Sequence, residues 1–300
     1  MLYQVLQSSI PWCGFLYWPY CMYLITHGCT PQALVSILLG VFVQTQDLPD
    51  CAHRIYHAII RSGLEILIVQ EPPTELTYTA REIVLMVPHG LLCVETAAAM
   101  SEWISRSQER TYTCFIDQKL YAMSPLASMM TKLVGATSVD TCRHASIQRV
   151  LQETDRGESL CVFPGGFVEA VGGTSTTQYI HTATYGYWIK QSQAYNIPLR
   201  ILHVYNGSAM FPQSAVNIER RLHYARVYQC PVILPVGIRR VQKLLARTWV
   251  YQPTESGITV QTIEQDMFSY LALDRKHPAF EQGGNSPNGF PTVFQLTSKV

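Results

Sequence analysis

The sequence predicts an α/β domain in which helices cover a substantially parallel sheet. From about residue 47 onward, short runs rich in aliphatic residues alternate with segments of helical composition, a pattern typical of βαβ units. Charged residues make up only 14% of the chain, against about 25% in an average globular domain. Apolar residues make up 48%. This composition predicts either a large buried core or contact with lipid.

The elements are predicted from periodicity and from residues that start or stop helices. Asp50 is a candidate N-cap of the first helix and Gly63 lies near its end, while two later helices are expected to end near Gly135 and at Gly157. The predicted helices are DCAHRIYHAIIRSG, VETAAAMSEWISRS, MSPLASMMTKLVGA, HASIQRVLQETDRG and TATYGYWIKQSQAYN, and the predicted strands are EILIV, EIVLMV, TYTCFID, SLCVF and IPLRILHVY.

Three regions are predicted along the chain: a hydrophobic hairpin over 1–46, the α/β domain over 47–281 and a turn-rich tail over 282–300. The two apolar runs of the first region, at 10–25 and 31–43, are each shorter than the ~20 residues that a helix needs to cross a bilayer. A dense cluster of tryptophans and tyrosines between 12 and 23 is typical of a membrane interface. It favours a hairpin that dips into one leaflet over a pair of buried core helices.

The charge and cysteine content argue against several classes of protein. A net charge of +1 and the lack of a basic tract with interleaved aromatics argue against nucleic-acid binding. Nine cysteines without a CxxC pair argue against a disulfide framework and against a zinc site. Reduced thiols in a cytosol-facing protein are the simplest interpretation.

The segment EIVLMVPHGLLCVE has a histidine at the end of a predicted strand. Pro88 ends the strand because it has no N–H to pair, and Gly90 permits tight backbone geometry beside His89. A neutral imidazole at a strand end can act as a general base near pH 7. Taken alone, this segment favours an ordinary loop histidine bonded to a backbone carbonyl.

The segment LCVFPGGFVEAVGG repeats this arrangement. A strand again ends in proline, at Pro164, and Gly165 and Gly166 follow. Glycines allow backbone N–H groups to approach a ligand oxygen or a phosphate. Glu169 lies three residues beyond the second glycine, where its carboxylate can orient a hydroxyl or pair with an imidazolium. The alternative is that Glu169 is a solvated turn residue.

Together the two segments resemble motifs of the diacylglycerol acyltransferase type 2 family, part of the wider glycerolipid acyltransferase superfamily. The first block of that family reads His-Pro-His-Gly, and this chain has VPHG at 87–90. The family's glycine-rich block ends in a glutamate, as FPGGFVEA does here at Glu169. GATSVDTCRHASIQRVL and TATYGYWIKQSQAYNIPLRILHVYNGSAMF resemble two further blocks, so the resemblance covers roughly residues 10–250.

The resemblance implies a glycerolipid-acyltransferase-like layered α/β domain with an N-terminal membrane hairpin. It implies His89 and Glu169 as catalytic residues. Arg143 is chosen for an arginine of the third block, with His144 as an alternative. The residues implied to bind the substrate or acyl-CoA are Pro88, Gly90, Arg143, Pro164, Gly165, Gly166, Gly186 and Asn206.

This chain departs from the family pattern at four positions. Val87 replaces the first histidine, and Val94 stands where the superfamily has an acid, with Glu95 one step further on a helix where it can simply face solvent. YNGS replaces Phe-Gly-Glu-Asn, and Thr184 stands where the family has an arginine. These losses predict an altered substrate, or a weak or inactive enzyme.

The activity implied by the resemblance is acyl transfer from a coenzyme A thioester to a lipid alcohol, most simply from acyl-CoA to diacylglycerol. Monoacylglycerol, a lysophospholipid or a wax alcohol are alternative acceptors. A noncatalytic lipid-binding membrane protein of the same fold is the alternative from another class. Acyl-CoA is expected as a co-substrate, with no cofactor and no metal. Membrane lipids are the expected partners, homo-oligomerisation stays open, and the resemblance implies the endoplasmic reticulum or lipid-droplet surface with a cytosolic catalytic face.

Three other patterns have ordinary explanations. His53 and His57 lie one helical turn apart, as metal ligands do, but without a third ligand they are expected to be helix-surface histidines. IRRVQKLLAR resembles a helix whose basic residues form a solvated face, with binding to lipid headgroups or phosphates as the alternative. Asn206-Gly207-Ser208 fits a glycosylation pattern, although a cytosolic face would leave it unmodified.

Overall fold

The structure is a computed structural model of the chain. The residues that it describes are 20–45, 50–71, 81–88, 90, 94–106, 111–117, 131–133, 136, 138–153, 157–174, 177–206, 212–228, 232, 234, 236, 243–254, 257–274 and 293–297. The described residues exclude 1–19 and 46 of the predicted hairpin, most of the predicted MSPLASMMTKLVGA helix, and 282–292 and 298–300 of the predicted tail.

Helices and strands alternate along most of the chain, as predicted. The helices are α1 (Thr30–Thr45), α2 (Asp50–Gly63), α3 (Val94–Arg106), α4 (His144–Gln152), α5 (Gly166–Gly172), α6 (Tyr185–Tyr195), α7 (Ile218–Val227) and α8 (Val260–Asp274). The strands are β1 (Glu65–Glu71), β2 (Ile83–Val87), β3 (Tyr112–Ile116), β4 (Ser138–Thr141), β5 (Ser159–Val162), β6 (Thr177–His181), β7 (Leu199–Val204), β8 (Lys243–Tyr251) and β9 (Val293–Thr297).

Local signals predicted the bounds of several of these elements. Helix α2 begins at Asp50 and ends at Gly63, as expected. Helix α4 ends earlier than the predicted Gly157, because Glu153 already leaves the helical region at φ −72° and ψ 77°. Asn196 ends α6 in the left-handed conformation, which asparagine tolerates better than most residues.

Seven strands form the main sheet in the order β1-β8-β7-β2-β5-β3-β4. The strand pairs are parallel except β7 with β8, which is antiparallel. The predicted α/β class with a mostly parallel sheet is therefore confirmed. β6 and β9 form a separate parallel pair, so a strand lies within the segment predicted as a tail.

The sheet is buried on both faces. Along β2, Val84 and Met86 belong to one apolar cluster, while Ile83, Leu85 and Val87 belong to another. This division follows from the alternation of side chains along a strand. Helices α2 and α3 cover the first face, and helices α4, α6 and α8 cover the second. A strand buried on both faces needs a continuous apolar sequence, which IVLMV supplies.

Strand β8 corrects the interpretation of IRRVQKLLAR. Lys243–Tyr251 is a strand between β1 and β7, so the helix-like interpretation is wrong for this part of the segment. Arg247 is buried and its Nε donates to Asp274 Oδ2 at 2.6 Å, while its guanidinium lies over the Tyr270 ring. The expected solvated basic face is therefore wrong at Arg247. Arg239 and Arg240 lie outside the described residues.

The N-terminal helices expose apolar side chains. Residues 20–26 are helical, and α1 follows after a short turn. Large apolar side chains that are exposed here are Tyr20, Met22, Tyr23, Ile25, Leu34, Val35 and Leu38. Within the described part of the chain, no helix has both the length and the apolar character needed to cross a membrane.

Candidate functional site

The two predicted motifs follow neighbouring strands of the sheet. β2 lies between β5 and β7, with Leu85 beside Val162 and Val87 beside His203. Since these strands are parallel, the loops that follow them leave the sheet at the same edge. Pro88, Phe163 and Tyr205, the residues that directly follow these strands, therefore lie next to one another.

The chain connections also diverge at these carboxyl ends of β2 and β5. After β2 the chain enters α3 on one face of the sheet, whereas between β5 and β7 it passes through α6 on the opposite face. Neighbouring strands with connections on opposite faces leave a crevice at their carboxyl ends, where α/β proteins commonly bind ligands. The carboxyl ends of β2 and β5, at Pro88 and Pro164, are therefore the candidate position for a ligand.

Pro88 and Gly90 lie between β2 and α3 along the chain. Pro88 is buried, and its carbonyl accepts a hydrogen bond of 2.8 Å from the Thr96 hydroxyl. Gly90 is buried in the left-handed conformation at φ +63°, which a side chain rarely adopts. His89 itself lies outside the described residues. Its neighbours Pro88 and Gly90 are both buried at the carboxyl end of β2.

Glu95 is buried in the first turn of α3, with only 1% of its surface exposed. The expectation that it simply faces solvent is wrong, because α3 packs its first turn against the end of β2. The Thr96 bond to Pro88 shows how close this turn lies to the segment around His89. A buried carboxylate thus follows β2 one position later than the superfamily pattern has it.

Glu169 is a second buried carboxylate, following β5. It lies on α5 and is 1% exposed, so the alternative of a solvated turn residue is wrong. Its Oε1 accepts a hydrogen bond of 3.0 Å from the backbone N–H of His181, at the end of β6. The side chain therefore points inward and is fixed by a neighbouring strand.

The glycines at the turn have different structural reasons. A Cβ on Gly165 would lie 1.8 Å from Cδ of Glu169, so the glutamate side chain occupies the space that any other residue would need. Gly166 instead has φ +52° and nothing within 4 Å of a hypothetical Cβ, so glycine there answers a backbone requirement. Gly165 is thus tied directly to the position of the Glu169 carboxylate.

The start of α6 packs against this turn. The Thr184 hydroxyl donates to the Pro164 carbonyl at 3.0 Å, and the Tyr185 N–H donates to Thr182 O at 3.0 Å. Tyr185 is fully buried, and its pKa is raised well above its ordinary value by burial and by the negative charges of Glu169 and Glu264. Sequence reasoning missed Tyr185, since nothing distinguishes it among 17 tyrosines.

Asn206, at the end of β7, has both ends of its side-chain amide bonded to β8. Its Nδ2 donates to Lys243 O at 2.8 Å, and its Oδ1 accepts from Leu245 N at 3.1 Å. The side chain is buried, and these contacts connect the end of β7 to the adjoining strand. Asn206 therefore fixes the carboxyl end of β7 against β8, next to the candidate site.

Arg143 lies away from the β2–β5 junction, beside the edge strand β4, whereas Gly186 lies in the first turn of α6. Arg143 is exposed and occupies the N-cap position of α4, directly after β4 at the edge of the sheet. His144 is also exposed, with Nδ1 3.3 Å from the Tyr187 hydroxyl. At Gly186 an added Cβ would meet Val260 at an ordinary contact distance of 3.7 Å, so local packing does not require glycine.

The two histidines of α2 are half-buried rather than on the surface. His53 Nδ1 lies 3.0 Å from Leu133 O, and His57 Nε2 lies 3.1 Å from Glu102 Oε2. Among the described residues, no group of three or more metal-ligating side chains lies together. The helical spacing of this pair is explained by contacts to neighbouring elements.

The chain was compared with protein-family models and with curated proteins. No family model matches it, and no curated protein matches it either.

Proposed function

We propose that this protein transfers an acyl chain from coenzyme A to a lipid alcohol at a membrane surface, most simply converting diacylglycerol to triacylglycerol. One observation carries the proposal. The segments that resemble the acyltransferase blocks follow the adjacent strands β2 and β5. The connections after these two strands lie on opposite faces of the sheet, which is where α/β proteins commonly bind ligands. A buried carboxylate accompanies each of them, at Glu95 and Glu169.

In the proposed reaction His89 accepts the proton of the acceptor hydroxyl as that oxygen attacks the thioester carbonyl carbon. The tetrahedral intermediate then collapses, the carbon–sulfur bond breaks, and the protonated histidine returns its proton to the leaving thiolate. Base catalysis of this kind typically contributes about 10²–10⁴-fold. Glu169 supplies a fixed negative charge that favours the imidazolium or orients the acceptor. Backbone N–H groups near Gly90 and Gly165-Gly166 are proposed oxyanion donors.

Arg143 fits the part of coenzyme A that lies far from the reacting atoms. The sheet order puts β4 three strands from β2, which is a distance of about 14 Å at ~4.8 Å per strand. Coenzyme A carries its phosphates at the opposite end of the pantetheine arm from the thioester. An exposed arginine at that end of the sheet can form the paired hydrogen bonds that a phosphate accepts.

The proposed membrane contact rests on residues 20–45, which contain no Asp, Glu, Lys or Arg. Helix α1 has 16 residues, so its length of about 24 Å, at 1.5 Å per residue, falls short of the ~30 Å hydrocarbon core. Its exposed Leu34, Val35 and Leu38 would instead enter one leaflet beside the helical segment 20–26. This brings the domain to the membrane that holds its lipid substrate.

A noncatalytic lipid-binding protein of the same fold is the second candidate. Val87 stands where the family has its first motif histidine, and it is fully buried in the core against the second face of the sheet. The position to which the resemblance assigns a histidine is thus a packing residue in this chain. Such a protein would bind acyl-CoA or lipid at the same edge without transferring the chain.

The two candidates are separated by an assay of acyl transfer in purified membranes. Radiolabelled oleoyl-CoA is supplied with diacylglycerol, monoacylglycerol, lysophosphatidic acid or a fatty alcohol. We expect product from the wild type, at least 10²-fold less from His89→Ala, and a clear loss from Glu169→Gln, which keeps an acceptor for the His181 N–H but removes the charge. His223→Ala, at an exposed position on α7, is the matched control. No product from any acceptor with folded, membrane-bound wild type would favour the noncatalytic candidate.

A further inference from the structure

The Tyr185 side chain carries a buried hydroxyl that the fold does not satisfy. Tyr185 is 0% exposed, and its hydroxyl has no hydrogen-bond partner among the residues that the structure describes. Buried polar side-chain atoms nearly always have a partner, so an exception requires an explanation. Two other buried tyrosines follow the rule, since Tyr205 donates to Asp274 and Tyr251 donates to Asp266.

The position of Tyr185 connects it with the candidate site. It is the first residue of α6, directly after Thr184, whose hydroxyl is bonded to the Pro164 carbonyl of the Pro-Gly-Gly turn. Its ring belongs to the apolar cluster that contains Val87 and Val162, the last residues of β2 and β5. Tyr185 therefore lies directly after the contact between α6 and the Pro-Gly-Gly turn.

The surroundings of the hydroxyl keep it protonated. Burial and the charges of Glu169 and Glu264 raise the pKa of Tyr185 well above its ordinary value, so the phenol is a neutral donor at any physiological pH. The two carboxylates accept hydrogen bonds from other groups: Glu264 from the Thr182 hydroxyl at 2.6 Å, and Glu169 from the His181 N–H. The hydroxyl is thus a buried neutral donor within the field of the Glu169 carboxylate.

We propose that the Tyr185 hydroxyl donates a hydrogen bond to the carbonyl oxygen of the acyl thioester, an inference that rests on the proposed acyltransferase function. Of the reacting oxygens, the alcohol oxygen loses its proton and therefore needs an acceptor. The thioester carbonyl oxygen gains negative charge in the tetrahedral intermediate and therefore needs a donor. A buried neutral phenol meets that need without adding a charge beside Glu169.

The test is Tyr185→Phe in the full-length protein, which removes the oxygen and keeps the ring. Loss of one oxyanion donor typically lowers kcat by about 10²–10³-fold. Because the contact strengthens in the transition state, kcat and kcat/KM fall together while KM for oleoyl-CoA stays within about two-fold. The melting temperature of the variant is expected to equal or exceed that of the wild type, because no protein partner is lost.

Tyr251→Phe is the matched control. Tyr251 lies beside Leu199 at the amino end of β7, away from the candidate site, and its hydroxyl is bonded to Asp266 and to the Trp249 Nε1–H. This variant is expected to melt at a lower temperature and to keep kcat. The pair of variants therefore separates a hydroxyl that serves the reaction from one that serves the fold.

Three results would overturn the inference. Unchanged kcat in Tyr185→Phe, or a rise in KM alone, would leave acyl transfer established and remove Tyr185 from it. A loss of kcat together with a lower melting temperature would assign the hydroxyl a structural role. A wild type that transfers no acyl chain to any acceptor would remove the proposed function itself and this inference with it, a result distinct from the other two.

Discussion

Replacement of Gly165 by alanine should displace the Glu169 carboxylate. The new Cβ would lie 1.8 Å from Cδ, 2.1 Å from Oε1 and 2.2 Å from Cγ of Glu169, far inside contact distance. Because Glu169 is buried and bonded to the His181 N–H, its side chain cannot move without losing that bond. A hydrogen bond to a charged group contributes about 1.5–3 kcal/mol, so Gly165→Ala should lower the free energy of unfolding by about this amount.

A double-mutant cycle isolates the contact between the two residues. Glu169→Ala removes the atoms that the new methyl group would overlap, so Gly165→Ala should cost less than about 0.5 kcal/mol in that background. The coupling energy between the two substitutions is therefore about 1.5–3 kcal/mol, well above the ~0.5 kcal/mol at which independent sites still appear additive. Denaturant unfolding of the detergent-solubilised protein measures all four free energies.

Gly186→Ala provides the control for the cycle, since its methyl group would meet Val260 at an ordinary 3.7 Å. Its stability should stay within about 0.5 kcal/mol of the wild type, in line with substitutions that disturb no special feature. Acyl transfer should fall in Gly165→Ala together with stability. Additive effects of Gly165→Ala and Glu169→Ala would refute the argument that glycine is needed there to admit the carboxylate.

Three further predictions concern the core and the membrane contact. Asp274→Asn should lower the free energy of unfolding by about 3–5 kcal/mol in denaturant titrations, because it breaks a buried ion pair and leaves the Arg247 charge in the interior; a cost below about 1 kcal/mol would show that the pair is dispensable. Burial lowers the pKa of His203 to about 3, against the charge of Asp274, so the unfolded chain binds more protons than the folded one between pH 6.5 and 3. As the pH is lowered through this window, the free energy of unfolding should therefore decrease by up to about 1.4 kcal/mol per pH unit because of this group. The free energy of unfolding of His203→Leu should depend less steeply on pH. Equal slopes for the variant and the wild type would show that His203 does not cause this pH dependence. Leu38→Asp on α1 should reduce flotation with liposomes about ten-fold or more, since a carboxylate enters lipid poorly. Phe268→Asp, also at an exposed apolar position, should float like the wild type. Equal flotation of the two variants would show that α1 does not contact the membrane.

Much of the fold could be predicted because its signals are local. The apolar run IVLMV predicts a strand buried on both faces, and the proline after it predicts where that strand ends. Helix α2 could be bounded from Asp50 and Gly63 because capping preferences act within a few residues. The same locality made the order of the predicted helices and strands accessible without knowledge of tertiary contacts, whereas no local signal predicted β4, α5, β6, α7, α8 or β9.

Strand β8 shows where local reasoning fails. KLLAR is built from good helix formers, yet it pairs with β1 over its whole length and with β7 at Ala246 and Arg247. Arg247 is accommodated there because Asp274, at the end of α8, reaches it from another element. A charged residue in a buried strand can be predicted only when its distant partner is known, and sequence spacing does not reveal that partner.

Some features of the candidate site could likewise be predicted from local sequence, and others depend on tertiary contacts. Pro88, His89, Gly90 and the Pro-Gly-Gly turn could be selected from the sequence because proline and glycine mark strand ends and tight turns. The burial of Glu95 and Glu169, and the packing of Tyr185 next to Glu169, could not. Burial depends on which elements cover a residue, and those elements lie far away along the chain.

The sequence by itself determined that two strands end in proline followed by a chemically capable segment, because strand-forming runs and turn residues act over short distances. Only the tertiary structure decided that these two strands are neighbours. The Glu82 N–H bonds the Ser159 hydroxyl across a sequence separation of 77 residues, and such pairing depends on how all the strands share one core. The same long-range packing puts the Glu169 side chain where a side chain at position 165 would lie. It also buries the Tyr185 hydroxyl within the field of that carboxylate.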